Sequence, residues 1–237
     1  MKIKESLHGF RTRTINSASK WWKKHTRPPL YPQYYNQECH YLDGLYTTLL
    51  TLKPKYCLEI GTHDGMGSTK VFEKYFNEHE PDGCVITLDI VPCKNLDPCH
   101  KNIHQVVVAP HHQNIVETCG ANGSWFVKDD LALFEKFANS LKENLSLVSK
   151  KMNELGIEKF DLAFIDGDHE EKSFMNDIEF CKILTHPPHY LVLDDTKEEV
   201  HPCCHIYHSD IKNSDTYDCY NFEDWKKFVG MSIIKCR

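Results

Sequence analysis

An apolar run that breaks on glycine and resumes as a helix restricts this chain's folding options more than any other feature. Tyr56-Cys-Leu-Glu-Ile60 reads as a short buried strand. Gly61, Gly65 and Gly67 follow in quick succession, and then Val71, Phe72, Tyr75 and Phe76 share one helical face between Ser68 and Phe76. Glycine lets the backbone turn tightly with positive φ and lets a ligand approach where a Cβ would block it. The helix start beyond Gly67 and Ser68 offers free N–H groups to an electron-rich ligand. A strand, a glycine turn and a helix in that order open a parallel α/β sheet, whose ligands sit outside the carboxyl ends of the strands.

The rest of the chain repeats the alternation. An amphipathic helix is expected from about Glu38 to Leu52, where Leu42, Leu45, Tyr46, Leu49 and Leu50 recur at helical spacing, and Pro54 stops it. Cys84 to Asp89 reads as the second strand, His104 to Ala109 as the third, Phe160 to Ile165 as the fourth and Tyr190 to Leu193 as the fifth. Residues 110–127 read as loop. A long amphipathic pattern runs from Leu131 to Leu155 and closes on Gly156, and Phe174 to Leu184 is helical. Near the end, Phe222 to Val229 reads as helix and Ser232 to Cys236 as strand. Near-continuous apolar strands alternating with helices predict an α/β fold: a Rossmann-like, doubly wound, mostly parallel sheet with helices on both faces. The expected organisation is an N-terminal arm over residues 1–36 and one domain over 37–237, the arm marked by basic residues and then by Pro and Tyr.

Charge and composition narrow the function classes. A net charge of −6 argues against a protein adapted throughout to coat nucleic acid. The charge is uneven: residues 1–27 hold eight Lys or Arg against Glu5 alone, which leaves the remainder near −13. A basic arm suits an anionic partner such as RNA or a membrane surface, although a solvated extension is the simpler reading. The arm's Trp21, Trp22, Tyr31, Tyr34 and Tyr35 suit docking on a membrane interface or on a second copy, and equally packing on their own domain. No stretch approaches the roughly 18 apolar residues of a membrane span, and the N-terminus lacks the apolar core of a secretory signal. Several of the 11 cysteines (Cys57, Cys84, Cys181) fall inside strands or helices, where a thiol acts as a small hydrophobe. That usage points to a reducing, cytoplasmic setting.

Four of the five strands end on glycine or acid: Glu59 to Gly67, Asp89, Asp166 to His169, and Asp194-Asp195. The glycine spacing Gly-x-x-x-Gly-x-Gly differs from the Gly-x-Gly-x-x-Gly of dinucleotide folds. Asp89, 22 residues past Gly67, stands where a carboxylate accepts both ribose hydroxyls. With Glu59 just before the first glycine, the sequence over roughly residues 40–200 resembles the class I S-adenosylmethionine-dependent methyltransferases. The resemblance implies that Glu59, Gly61, Gly65 and Gly67 line the methionine end of S-adenosylmethionine, with Thr62 and Ser68 of the same turn, and that Asp89 holds the ribose. After the third strand the family often has an acid or amide near adenine. This chain has Ala109-Pro-His-His112 there, so adenine contacts are not assigned.

Asp166-Gly-Asp-His169 and Asp194-Asp195 crowd carboxylates at two adjacent strand ends. Such acids often cap the next helix, but several on one rim repel unless a cation neutralises them, and their hard oxygens suit Mg²⁺. The two runs resemble the metal-dependent O-methyltransferases of antibiotic sugars and the related cephalosporin hydroxylase-like group. They also resemble catechol-type enzymes, which carry Asp-Asn where this chain has Asp195-Thr196. The resemblance implies that Asp166, Asp194 and Asp195 hold Mg²⁺ and that His169 is the general base for a small-molecule or sugar acceptor. Asp168 and Glu170 are left as helix caps. Two competing functions are an NAD- or nucleotide-sugar-using Rossmann enzyme and a non-catalytic nucleotide-binding module. Cys93, Cys99, His100 and His104 have zinc-capable chemistry but not the usual Cys spacing, while the denser His201, Cys203, Cys204, His205 and His208 leave a separate zinc site open beside the simpler reading of a substrate-covering loop with incidental His and Cys.

Overall fold

The computed structural model describes residues 39–97, 99–108, 141–167, 171–196, 217–221 and 231–236. The chain divides into Met1–Cys39 and His40–Arg237. The expected arm over 1–36, the loop over 110–127 and the helix over 222–229 lie outside the described residues, and so does the part of the 131–155 helix before Leu141.

The first helix, α1 (Cys39–Leu52), leads into β1 (Tyr56–Ile60). Then come α2 (Ser68–Glu78), β2 (Cys84–Asp89), β3 (Ile103–Val107) and α3 (Leu141–Glu154). The chain continues through β4 (Leu162–Ile165), α4 (Glu171–Leu184), β5 (His189–Asp194), β6 (Tyr217–Asn221) and β7 (Met231–Cys236). One seven-stranded sheet runs β3-β2-β1-β4-β5-β7-β6. The first five strands are parallel, and β7 enters antiparallel against both β5 and β6. The expected mostly parallel, doubly wound sheet is therefore present. Among the described elements, β6 is the one that the sequence pattern does not predict. Its Tyr-Asp-Cys-Tyr-Asn run is short and half polar, and as the edge strand of the sheet it pairs with β7.

The pleat divides the core into two layers. Glu59, Thr87, Phe164 and Val192 lie in register across four strands and point to one face. There Phe72 of α2 meets the Phe164 ring edge-on, with centroids 6.3 Å apart. On the opposite face Leu58, Ile86, Ala163 and Leu191 pack with Val148 and Met152 of α3 and with Phe174, Ile178 and Cys181 of α4. Each fully buried side chain of this size contributes roughly 1.5–3 kcal/mol, so the two layers together hold the helices on the sheet. Below the sheet's amino ends, Asp161 Oδ2 accepts the N–H groups of Lys55 and Tyr56 at 2.8 and 2.9 Å, which locks the start of β1 to β4. Among the described residues Cys57, Cys84, Cys93, Cys99 and Cys181 are free thiols. Burial pushes the Cys84 thiol up to about 11, so it stays protonated and unreactive.

Candidate functional site at the carboxyl rim

Strand order reverses at β1, because β2 and β3 extend to one side of it and β4 and β5 to the other. The crevice at such a switch point is where this class of sheet takes its ligand. Its floor is the turn Gly61–Gly67, and the structure shows why glycine stands there. Gly61 has φ +98°, and a Cβ on it would run into the backbone carbonyl of Asp166 at the end of β4. Gly65 has φ +72°, and a Cβ there would lie 2.8 Å from Cys93 Sγ and 3.1 Å from Leu96 Cδ2. The first glycine thus serves close approach between two strand ends. The second serves close approach by the loop that follows β2. Gly67 sits at an ordinary negative φ of −93° as the N-cap of α2 and makes no side-chain cap, so the helix start keeps open N–H groups.

Glu59 is fully buried. Its Oε1 accepts from Ser68 Oγ at 2.6 Å and its Oε2 from Thr69 Oγ1 at 2.8 Å, so the side chain ties β1 to the first turn of α2. Burial raises its carboxyl to about 7, against the opposing pull of the Ser68, Thr87 and Thr69 hydroxyls. Glu59 is thus a brace beneath the turn. Thr62 joins the same layer through a 2.6 Å hydrogen bond between its hydroxyl and that of Thr87. Asp89 ends β2 half-buried. Its Oδ2 accepts the His63 N–H at 2.7 Å and its Oδ1 the Val91 N–H at 3.2 Å. Burial raises the Asp89 carboxyl above the usual range, while these N–H groups oppose the rise. His63 itself adopts φ +48° with its ring in solvent, and its backbone alone belongs to the site.

On the other side of the crevice stand Asp166, Asp194 and Asp195. Burial first, and then the neighbouring charges of Asp194, Asp195 and Glu59, push the Asp166 carboxyl well up. Burial and Asp195 do the same to Asp194, opposed by the Asp195 backbone N–H. Asp194 Oδ1 is buried without a hydrogen-bond partner among the described residues. Asp195 stands at φ +53°, a left-handed conformation uncommon for a non-glycine residue at a strand end. The Thr196 hydroxyl hydrogen-bonds Ser232 Oγ on β7 at 2.9 Å, which ties the segment after β5 to the neighbouring strand. Among the described residues no three His, Cys, Asp or Glu side chains gather as a ready metal cage. A buried, unbonded carboxylate oxygen amid mutually repelling acids nevertheless fits a hard cation, and Mg²⁺ needs only one or two carboxylates with water and substrate oxygens. His169, with Asp168 and Glu170, lies outside the described residues, and so do Ala109 to His112 and His201 to His208.

Cys93, Cys99, His100 and His104 do not converge. His100 Nε2 lies 3.6 Å from a Glu73 carboxylate oxygen, while His104 Nε2 pairs with the Lys101 carbonyl. The sequence reading also missed Thr69 and Thr87, whose hydroxyls serve the buried Glu59. Their signal was a polar side chain at an inward position of an otherwise apolar face.

The fold and rim define a Rossmann-like domain built to take a nucleotide-bearing ligand at its switch point. A family described as a methyltransferase domain matches residues 58–196, a span from β1 to the end of the acidic rim. The chain belongs to this methyltransferase family, and its fold is that of the class I S-adenosylmethionine-dependent methyltransferases. Membership sets aside the NAD- or nucleotide-sugar reading. Among solved structures, cofactor-bound Rv0187 from MTB is similar at 15% identity, covering 95% of this chain and 89% of its own, with a TM-score of 0.52. A Staphylococcus aureus protein described as a caffeoyl-CoA O-methyltransferase is similar at 14% identity, covering 100% and 98%, with a TM-score of 0.51. These likenesses concern the fold. No curated protein matches the sequence. No helix among the described residues is long and apolar enough to cross a membrane.

Proposed function

We propose that this methyltransferase moves the methyl group of S-adenosylmethionine to a hydroxyl oxygen of a small molecule or sugar, with Mg²⁺ held at the acidic rim. The observation that carries the reading is the contact between the two halves of the crevice. Gly61, on the donor side, is pressed against the carbonyl of Asp166, on the acidic side. A donor on the glycine turn and an acceptor at the acids therefore share one cleft. The acceptor type is supported by the Asp166 to His169 and Asp194-Asp195 runs, and by the Staphylococcus aureus neighbour being described as an O-methyltransferase.

The sulfonium donor is already electrophilic, so alignment is the protein's main task. Asp89 receives the ribose hydroxyls with the lone pairs that His63 and Val91 leave free. The turn from Gly61 through Thr62, Gly65 and Gly67 to Ser68 receives the methionine portion, and Glu59 braces that turn from below. Asp166, Asp194 and Asp195 would hold Mg²⁺. When bound, the ion lowers the pKa of an acceptor hydroxyl. His169 takes the acceptor proton as the general base. Among the described residues Cys57, Cys84 and Cys181 are buried as small hydrophobes, a usage that supports a reducing, cytoplasmic setting.

Calorimetry with S-adenosylhomocysteine tests the donor half, and turnover with and without EDTA tests the metal half. Full activity in EDTA would sink the metal assignment. His169→Ala is expected to lose turnover by about 10²-fold or more while keeping donor affinity. A variant as active as the parent removes His169 from the mechanism, and a parent that binds donor but methylates no acceptor favours a non-catalytic module.

A further inference from the structure

The loop after β2 is fastened down by a residue outside the glycine turn and the acidic rim. Gln105 lies in β3, beside Thr87 of β2. Its amide is used at both ends: Oε1 accepts the Cys93 N–H at 2.8 Å, and Nε2 donates to the Val91 carbonyl at 3.0 Å. The loop held this way starts directly from Asp89, whose Oδ1 accepts the Val91 N–H. It then reaches back over the glycine turn. Cys93 and Leu96 crowd the space beside Gly65, and Asn95 Nδ2 donates to the Asp64 carbonyl at 2.8 Å. A side chain on the third strand thus holds down the loop that runs from Asp89 to the glycine turn.

We infer that Gln105 is a positioning residue for the methyl donor, holding the Val91–Leu96 strap, with Asn95 as its second fastener, at the spacing that the adenosine part of the donor requires. The inference rests on the donor reading given above. Gln is suited to the task because one planar amide supplies an acceptor and a donor to backbone groups two residues apart. A neutral apolar side chain of the same length would leave both backbone groups without that partner and free the strap to rise. Asp89 would keep its place at the strand end, but the wall beside it would not.

The experiment compares the full-length parent with Gln105→Met, Gln105→Glu and Asn95→Ala by calorimetry with S-adenosylhomocysteine, at a temperature where all are folded. Gln105→Met is expected to weaken binding about tenfold, equivalent to about 1.4 kcal/mol. Gln105→Glu keeps the acceptor for Cys93 N–H and loses the donor to Val91, so its loss should be intermediate. Asn95→Ala alters an exposed side chain that folding tolerates, and should weaken binding in the same direction by a smaller factor. Hydrogen exchange supplies a readout that a merely structural role would not move. In the parent, donor binding should slow exchange at the amides of 91–97 and at those of 62–69. In Gln105→Met the donor-dependent slowing should vanish from the first segment and persist in the second. Parent-like affinity and protection in Gln105→Met overturn the inference. If that variant does not fold, parent-like behaviour of Asn95→Ala does so instead. A parent with no affinity for S-adenosylhomocysteine overturns the donor reading itself, which is a different result from a parent that binds and variants that bind equally well.

Discussion

Gly61 and Glu59 are two positions where a single residue type serves the fold before it serves a ligand. Any Cβ at 61 meets the Asp166 carbonyl at a backbone φ of +98° that L residues rarely adopt. Gly61→Ala should therefore cost about 3 kcal/mol or more, through strain and steric clash together, and abolish donor binding. Chemical denaturation with urea checks this, and a midpoint within error of the parent would contradict it. Glu59 makes a prediction about pH. Its folded carboxyl titrates near 7 against an ordinary value of 4.5. Between those values the folded state holds a proton that the unfolded state has released. The contribution is thus favourable at low pH and is lost as pH rises through about 7. Glu59→Gln removes that titration, so its thermal midpoint should fall less between pH 5 and pH 8 than the parent's does. The integrated difference is of the order of 3 kcal/mol at most. Identical pH slopes for the two proteins would show that Glu59 is ionised and stabilised in some other way.

At the scale of elements, α2 is the piece on which the donor half depends, because it carries both the open N–H groups and the hydroxyls that hold Glu59. It is anchored by Phe72, which is fully buried against Phe164. Phe72→Ala should cost about 3–5 kcal/mol, and it should weaken S-adenosylhomocysteine binding although Phe72 is fully buried beneath the helix. A variant that is destabilised with unchanged donor affinity would show that the turn is held by β1 and β2 alone. The elements that the sequence made legible are those with a strong period. The strand Cys84–Asp89 and the start of α2 at Ser68 are where the pattern placed them. The pattern starts the third strand one residue late and carries it past its end at Val107, because Val108 continues the apolar run after pairing with β2 stops. Strand β6 was not legible, since an edge strand half polar in sequence takes its identity from its partner.

At the scale of the molecule, the acids at the carboxyl ends of β4 and β5 are electrostatically linked to one another and to Glu59 of β1. Asp166 and Asp194 are both pushed up by burial and by neighbouring carboxylates, so in the absence of a cation they keep protons to higher pH than free carboxylates do. Under the proposed function a divalent ion would compete with those protons, and its binding should tighten as pH rises. Mg²⁺ should accordingly raise the thermal midpoint more at pH 8 than at pH 5.5, with the same order for Mn²⁺. Asp194→Asn should remove most of that shift. A shift independent of pH, or one that survives in Asp194→Asn, would place any ion elsewhere.

The sequence by itself determined the class of the fold, the location of the turn and the acids that end the strands, because those follow from local periodicity and from glycine's freedom at φ above zero. It did not reveal what the glycines face. Gly61 was expected to clear room for a ligand, and its missing Cβ also admits the Asp166 carbonyl from a strand end more than a hundred residues away. Glu59 was expected to line the pocket, and in the structure both its oxygens also accept from the first turn of α2, which ties that turn to β1. Only the tertiary structure decided these roles. Which atoms fill the space at a strand end depends on the neighbouring strand, and the order of the strands is set by packing of the whole sheet rather than by any local stretch of chain.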